Sequence, residues 1–168
     1  MPWDAFFTAE VGAAAALAGL IFVGITINLQ RIVANPSVVA RAFQALLLLI
    51  TTFLWAGLLL VPGQSAAEQG AELLPVTVVL WAVLDGFELS AWRWASAVYR
   101  GFLTGHSIQV QIPYVLAVIG SVALLLSSPS ALYWFVPATL ATFLIAILEA
   151  WVLSVEILKL ESPVAPPR

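Results

Sequence analysis

Long apolar stretches alternate with short polar segments along the whole chain. Five of them reach or approach the roughly 20 residues that a helix needs to cross a bilayer. They cover residues 8–30, 37–61, 72–99, 112–126 and 131–158, and the fourth is the shortest. The pattern predicts an all-α fold, a polytopic membrane protein in which five transmembrane helices form one bundle and one domain. Residues 161–168 are rich in proline and are expected to be a short disordered tail.

The composition agrees with a lipid environment. Hydrophobic residues make up 62% of the 168 residues and charged residues only 9%. A soluble domain has about 45–50% apolar and about 25% charged residues, so a soluble globular protein and a disordered chain are both excluded. The sequence contains no cysteine, which excludes disulfides and thiolate metal sites.

The basic residues predict how the chain is oriented. Cytoplasmic loops of membrane proteins collect Lys and Arg. Bases occur in the first loop, in the third loop and at the C-terminal end, but not in the second or fourth loop. We therefore expect the N-terminus outside and the C-terminus in the cytoplasm. No base precedes the first apolar stretch, so a cleavable signal peptide is not expected.

Small residues recur at helical spacing in the first stretch. Gly12 and Ala16 are four residues apart, as are Ala15 and Gly19. This spacing lets helices approach closely in lipid. It predicts that the first helix is central in the bundle or lies at a subunit interface, and it favours a homo-oligomer.

The same stretch carries a family resemblance. The run from Gly12 to Ile32 (GAAAALAGLIFVGITINLQRI), followed by Val61 to Ser65 (VPGQS), resembles a group of uncharacterised small bacterial integral membrane proteins. The resemblance covers mainly the first third of the chain. It implies a location in the bacterial plasma membrane, and it brings no activity or catalytic residue with it.

Two acids lie near the middle of the third stretch. Asp85 and Glu88 share one helix face, about 60° wide, with Trp81 and Trp92. Like charges one turn apart cannot both ionise cheaply in a low dielectric, so we expect the pair to hold one proton. Ionisable residues at membrane depth are expensive and mark functional sites.

Glu149 in the fifth stretch is expected at the same depth as Glu88. Asp85, Glu88 and Glu149 are therefore the candidate residues of an ion or proton path. Arg93, Arg31 and Arg41 are candidate partners of these acids. The first helix adds a stripe with polar residues at its two ends, among them Glu10 and Asn28.

Three interpretations of the acids stay open. They line a path for protons or cations, they hold the helices in register through hydrogen bonds, or they contact a partner membrane protein. The leading hypothesis is an oligomeric channel or transporter for protons or cations. The alternative is a non-transporting accessory or scaffold subunit of a larger membrane complex.

Other chemistries are disfavoured. The single histidine, His106, falls in a predicted loop, and haem or zinc sites need more His or Cys. No glycine-rich phosphate loop and no basic run for nucleic acid occur. We expect no cofactor, no nucleic-acid partner and no enzymatic activity. A hard metal ion held by Asp85, Glu88 and Glu149 stays open.

Overall fold

The computed structural model describes the backbone of residues 2–94 and 97–161, and the side chains of residues 3–35, 38–89 and 107–155. Its regular structure is helical throughout these ranges. The elements are α1 (Pro2–Ile27), α2 (Leu29–Val33), α3 (Pro36–Leu59), α4 (Ala66–Trp94), α5 (Ala97–Leu125), a 3-10 turn (Ala131–Trp134) and α6 (Phe135–Glu161). Of the predicted tail, Glu161 ends α6, and residues 162–168 lie outside the described residues.

Five segments are long and apolar enough to cross a membrane. They are Trp3–Ile27, Val38–Leu59, Ala66–Leu89, Ser107–Leu125 and Ala131–Val155. The fold class predicted from the sequence, an all-α polytopic bundle, is therefore confirmed. The shortest predicted helix, the fourth, belongs to a helix of 29 residues.

Three helices begin earlier than the apolar pattern predicts. α1 begins at Pro2 rather than at residue 8, α4 at Ala66 rather than at 72, and α5 at Ala97 rather than at 112. The backbone around His106, predicted to be a loop, is therefore helical. The physical reason is that hydropathy marks the part of a helix in lipid, whereas the helix itself continues into polar surroundings. A glycine in the interior of a helix costs only about 1 kcal/mol relative to alanine, so it does not by itself end the helix.

The start of α4 is fixed by a capping box. The Ser65 backbone N–H donates to Glu68 Oε2 at 2.7 Å, and the Glu68 N–H donates to Ser65 Oγ at 3.3 Å. These bonds satisfy backbone groups that a helix end otherwise leaves exposed. Gln69 Nε2 then donates to the Leu59 carbonyl at 3.3 Å, which ties the start of α4 to the end of α3.

α3 is the central helix of the bundle. It packs against α1, α4 and α6, while α5 closes the other side against α4 and α6. Inside the chain, 56% of the apolar window of α3 is buried, compared with 11% for α1. α1 is therefore peripheral within one chain, so of the two predicted positions a subunit interface stays the prediction.

Among the glycines that the structure describes, close helix contacts occur at positions other than those predicted. A Cβ placed on Gly70 in α4 would lie 2.6 Å from Leu125 N and 2.7 Å from Ser121 O, both in α5. A Cβ on Gly120 would lie 2.7 Å from the Phe135 ring. By contrast, nothing lies within 4 Å of a Cβ placed on Gly12. The close approach of helices at these glycines thus joins α4 to α5 and α5 to α6.

Gly70→Ala is expected to lower the free energy of unfolding by about 1–3 kcal/mol, because its methyl group would meet backbone atoms that cannot rotate away. Gly12→Ala is the matched control, since it adds the same methyl group in open space and should leave stability unchanged or raise it by up to about 1 kcal/mol, the helix preference of alanine over glycine. Reversible unfolding in mixed micelles, followed by tryptophan fluorescence, measures both. Equal effects of the two substitutions would contradict this packing.

Candidate functional site

One stripe of α3 carries polar side chains toward three neighbouring helices. Arg41, Gln44, Thr51 and Trp55 follow each other at intervals of three, seven and four residues, which places them on one side of the helix. We call these four residues the α3 polar face. In a bilayer, polar groups must find their partners inside the protein, and each member of this face does so on another helix.

The half of the α3 polar face nearer Leu59 is buried and filled with aromatic rings. Trp55 Nε1 donates to Thr77 Oγ1 of α4 at 2.9 Å, and Thr51 Oγ1 lies 3.0 Å from the Tyr114 hydroxyl of α5. The Tyr114 ring packs edge-on against Trp55, with centroids 5.6 Å apart, and stacks on Trp81 at 6.1 Å. All but Trp81 are fully buried. This half is a packed core with satisfied hydrogen bonds.

A glutamine of α5 joins two of the predicted site residues. Trp81 Nε1 donates to Gln111 Oε1, and Gln111 Nε2 donates to Asp85 Oδ1 at 2.7 Å. An indole N–H can only donate, so it requires the amide oxygen of Gln111 on its side and the amide NH₂ on the side of Asp85. Asp85 is therefore held as a hydrogen-bond acceptor.

The other two acids contact the α3 polar face near the start of α3. Gln44 Nε2 donates to Glu88 Oε1 at 3.4 Å. Arg41 Nη1 lies 3.2 Å from Glu149 Oε2 and forms a salt bridge whose side chains are 15% and 5% exposed. Because Arg41 and Gln44 are one turn apart, α3 connects Glu149 of α6 with Glu88 of α4.

Asp85 and Glu88 face an open groove on the outside of the bundle. The groove has a volume of about 330 Å³, and its lining includes Asp85, Glu88, Leu89 and Ser107. Asp85 is exposed and Glu88 is half-buried. We call this feature the carboxylate groove. It combines two acids with the hydroxyl-bearing Ser107 between α4 and α5.

Asp85 and Glu88 lie toward the Leu89 end of their described apolar segment. The segment Ala66–Leu89 has its midpoint near residue 78, which places Asp85 about 11 Å and Glu88 about 16 Å from that point. Glu149 lies about 9 Å beyond the midpoint of its segment.

The three carboxylates do not gather into a metal site. Among the described residues, no group of three His, Cys, Asp or Glu side chains is placed to hold a metal ion. Glu149 is paired with Arg41, whereas Asp85 and Glu88 share the carboxylate groove.

The remaining predicted residues have varied surroundings. Glu10 is buried between α1 and α6, where it lies within hydrogen-bond distance of the Thr139 hydroxyl. Asn28 lies between α1 and α2, and its Nδ2 donates to the Gly24 carbonyl at 3.0 Å. The side chains of Trp92 and Arg93 lie outside the described residues. The predicted packing residues of α1 are all exposed, namely Gly12, Ala15, Ala16 and Gly19.

Sequence reasoning missed three polar residues of the site. Gln111 and Ser107 were assigned to a loop, because the fourth helix was taken to begin at residue 112. Thr139, which contacts Glu10, was not considered as its partner. Gln111 precedes Tyr114 by three residues, and a helix that includes both places them on one face. A longer predicted fourth helix would therefore have indicated a polar contact at this face.

Comparison of the chain with known protein families, with curated proteins and with solved structures found no match.

Proposed function

We propose that the chain forms an oligomeric membrane channel or transporter for protons or cations, with the carboxylate groove as its ion-binding site. The observation behind this proposal is an exposed carboxylate, Asp85, within an apolar segment that is long enough to cross the membrane. A charged side chain at the centre of a membrane helix costs about 2.5–3.5 kcal/mol. Water, an ion or another subunit therefore covers the groove in the bilayer.

The chemistry of the groove favours a cation. Rings and pairs of carboxylates select cations in membrane pores. Gln111 and Gln44 donate to the two acids and fix their positions, while the groove remains open beside them. In this proposal Glu149 is a positioning residue, because its salt bridge holds Arg41 one turn away from Gln44.

The path runs between subunits in this account. Within one subunit, Trp55, Tyr114 and Phe135 fill the space among α3, α5 and α6. The face of α4 that carries Asp85 is accessible instead, with Val78, Asp85 and Leu89 all exposed. A second copy placed against this face would enclose the groove and bring two pairs of acids together.

The proposal includes an orientation in the bacterial plasma membrane. The end of the bundle with Arg41 also carries Arg31, and the sequence places four further bases at the same end. Since bases stay on the cytoplasmic side, the carboxylate groove lies in the cytoplasmic half of the bilayer.

Flux through liposomes tests the proposal. The purified chain is reconstituted with a trapped pH-sensitive dye, and a proton gradient or a Na⁺ or K⁺ gradient is imposed in separate experiments. We expect dissipation of at least one gradient faster than in protein-free liposomes of the same lipid. Rates equal to those of protein-free liposomes for all three ions would overturn the proposal.

A second candidate function is supported by α1. Its outward residues Gly12, Ala15, Ala16 and Gly19 are exposed, and they offer the close-packing surface that a partner helix uses. On this account the chain is an accessory or scaffold subunit of a larger membrane complex. Because the sequence has no cysteine, Ala16→Cys gives a unique site for cross-linking in membranes. A cross-link to a second copy supports the homo-oligomer, and a cross-link to a different membrane protein supports the scaffold.

A further inference from the structure

Glu10 is a buried acid that the proposed ion path does not use. It lies in the third turn of α1, faces α6 and is only 6% exposed. The Thr139 hydroxyl lies within hydrogen-bond distance of its Oε1 and also of the Phe135 carbonyl, at 2.9 Å, and it can donate its one proton to only one of them. The other oxygen of Glu10, Oε2, is buried without a hydrogen-bond partner among the described residues.

Glu10 is also deep in the membrane-spanning segment. The segment Trp3–Ile27 has its midpoint near residue 15, so Glu10 lies about 7–8 Å from it, on the side opposite to Asp85. The sequence placed Glu10 at the outer face because the first helix was predicted to begin at residue 8. Since α1 begins at Pro2, Glu10 has two helical turns before it.

The elements packed against α1 bring no described charge close to Glu10. The acid on α6, Glu149, is ten residues beyond Thr139, about 15 Å along the helix. The base on α3, Arg41, lies at the same far end, where it pairs with Glu149. On α1 itself Asp4 is six residues away, about 9 Å along the axis, and Arg31 of α2 is at the opposite end.

An ionised Glu10 would be a buried charge supported by one neutral hydroxyl. Burial of an unpaired charge costs far more than burial of a neutral polar group. A metal ion does not fit this position, since Ca²⁺ takes about six to eight oxygen ligands and the described side chains form no metal-binding group of three that includes Glu10. A proton neutralises the carboxylate by forming a single O–H bond.

We propose that Glu10 is a proton-binding site that holds its proton at neutral pH, with the Thr139 hydroxyl as its hydrogen-bond partner. The site is separate from the carboxylate groove and does not rest on the proposed transport function. Its ligand is H⁺ alone, and the neutral acid lets α1 pack against α6 within the apolar layer.

Infrared difference spectroscopy of the full chain in lipid at pH 7 tests the inference. The spectrum of Glu10→Gln is subtracted from that of the wild type. Glutamine keeps the shape of the side chain and removes its ionisable carboxyl group. We expect loss of the carbonyl band of one protonated carboxyl group, a band that shifts on transfer to D₂O. Loss of the two carboxylate bands instead would overturn the inference.

Glu149→Gln serves as the matched control, because it also replaces a buried acid on a membrane helix. Its difference spectrum should show loss of carboxylate bands, since Arg41 neutralises Glu149 by a salt bridge rather than by a proton. The readout is independent of ion flux, so a chain without flux can still contain a protonated Glu10, and the reverse also holds.

Discussion

Arg41→Gln is expected to lower the free energy of unfolding by about 3–5 kcal/mol, since it removes the cation from a buried ion pair and leaves the charge of Glu149 in place. Glu149 is only 5% exposed, and Arg41 Nη1 lies 3.2 Å from its Oε2. Water therefore cannot replace the guanidinium without opening the α3–α6 contact. Unfolding in mixed micelles, followed by tryptophan fluorescence, gives the value.

Two further variants separate the ion pair from the loss of a long side chain. Arg41→Gln combined with Glu149→Gln removes both charges and should recover most of the lost stability, because replacement of a complete buried pair is often nearly neutral. Arg31→Gln changes an exposed arginine and should cost less than about 0.5 kcal/mol. A double variant as unstable as Arg41→Gln alone would contradict a charge pair at this position.

Trp55→Ala is expected to cost about 3–5 kcal/mol, the range for truncation of a large buried aromatic residue. Trp55 is fully buried, its indole donates to Thr77, and its ring packs against Tyr114 and Phe135. It therefore joins α3 to α4, α5 and α6 at once. Loss of the indole ring would open a cavity and remove the N–H that donates to the Thr77 hydroxyl.

Trp151→Ala is the matched control for this effect. Trp151 also lies within a membrane-spanning segment, but it is 65% exposed on the outside of α6. Lipid can fill the space that its ring leaves, so a change below about 1 kcal/mol is expected. If both tryptophan substitutions destabilise the chain equally, Trp55 is not the central packing residue described here.

The sequence predicts the number and approximate position of the membrane helices because apolar length is a strong signal in lipid. It predicts the start of α4 less well, although Ser65 and Glu68 form a recognisable capping box. The apolar pattern took Glu68 as part of a loop, and this moved the inferred membrane midpoint toward Asp85. An error of six residues in a helix start moves the inferred midpoint by three residues, about 4–5 Å in depth.

The hydrogen-bond and ion-pair partners of the acids could not be predicted from the sequence of each helix taken alone. Helical periodicity places Asp85 on the same face as Trp81, and Gln111 of α5 does connect them. The periodicity does not reveal which helix lies opposite, so Arg41 was a candidate ion-pair partner of Glu88 as well. In the structure it pairs with Glu149 instead. The small residues of α1 show the same limit, because their spacing permits close packing but does not identify the helix that packs against them.

Ion flux through liposomes that contain Asp85→Asn or Glu88→Gln tests the central claim, that the carboxylate groove binds the transported ion. Each variant should slow the flux at least about tenfold relative to the wild type, since 1.4 kcal/mol of lost ion stabilisation changes a rate tenfold. Glu68→Gln is the control, because it replaces an acid of the same helix at the capping box, far from the groove, and should leave the flux unchanged. Wild-type flux in both groove variants would contradict the claim.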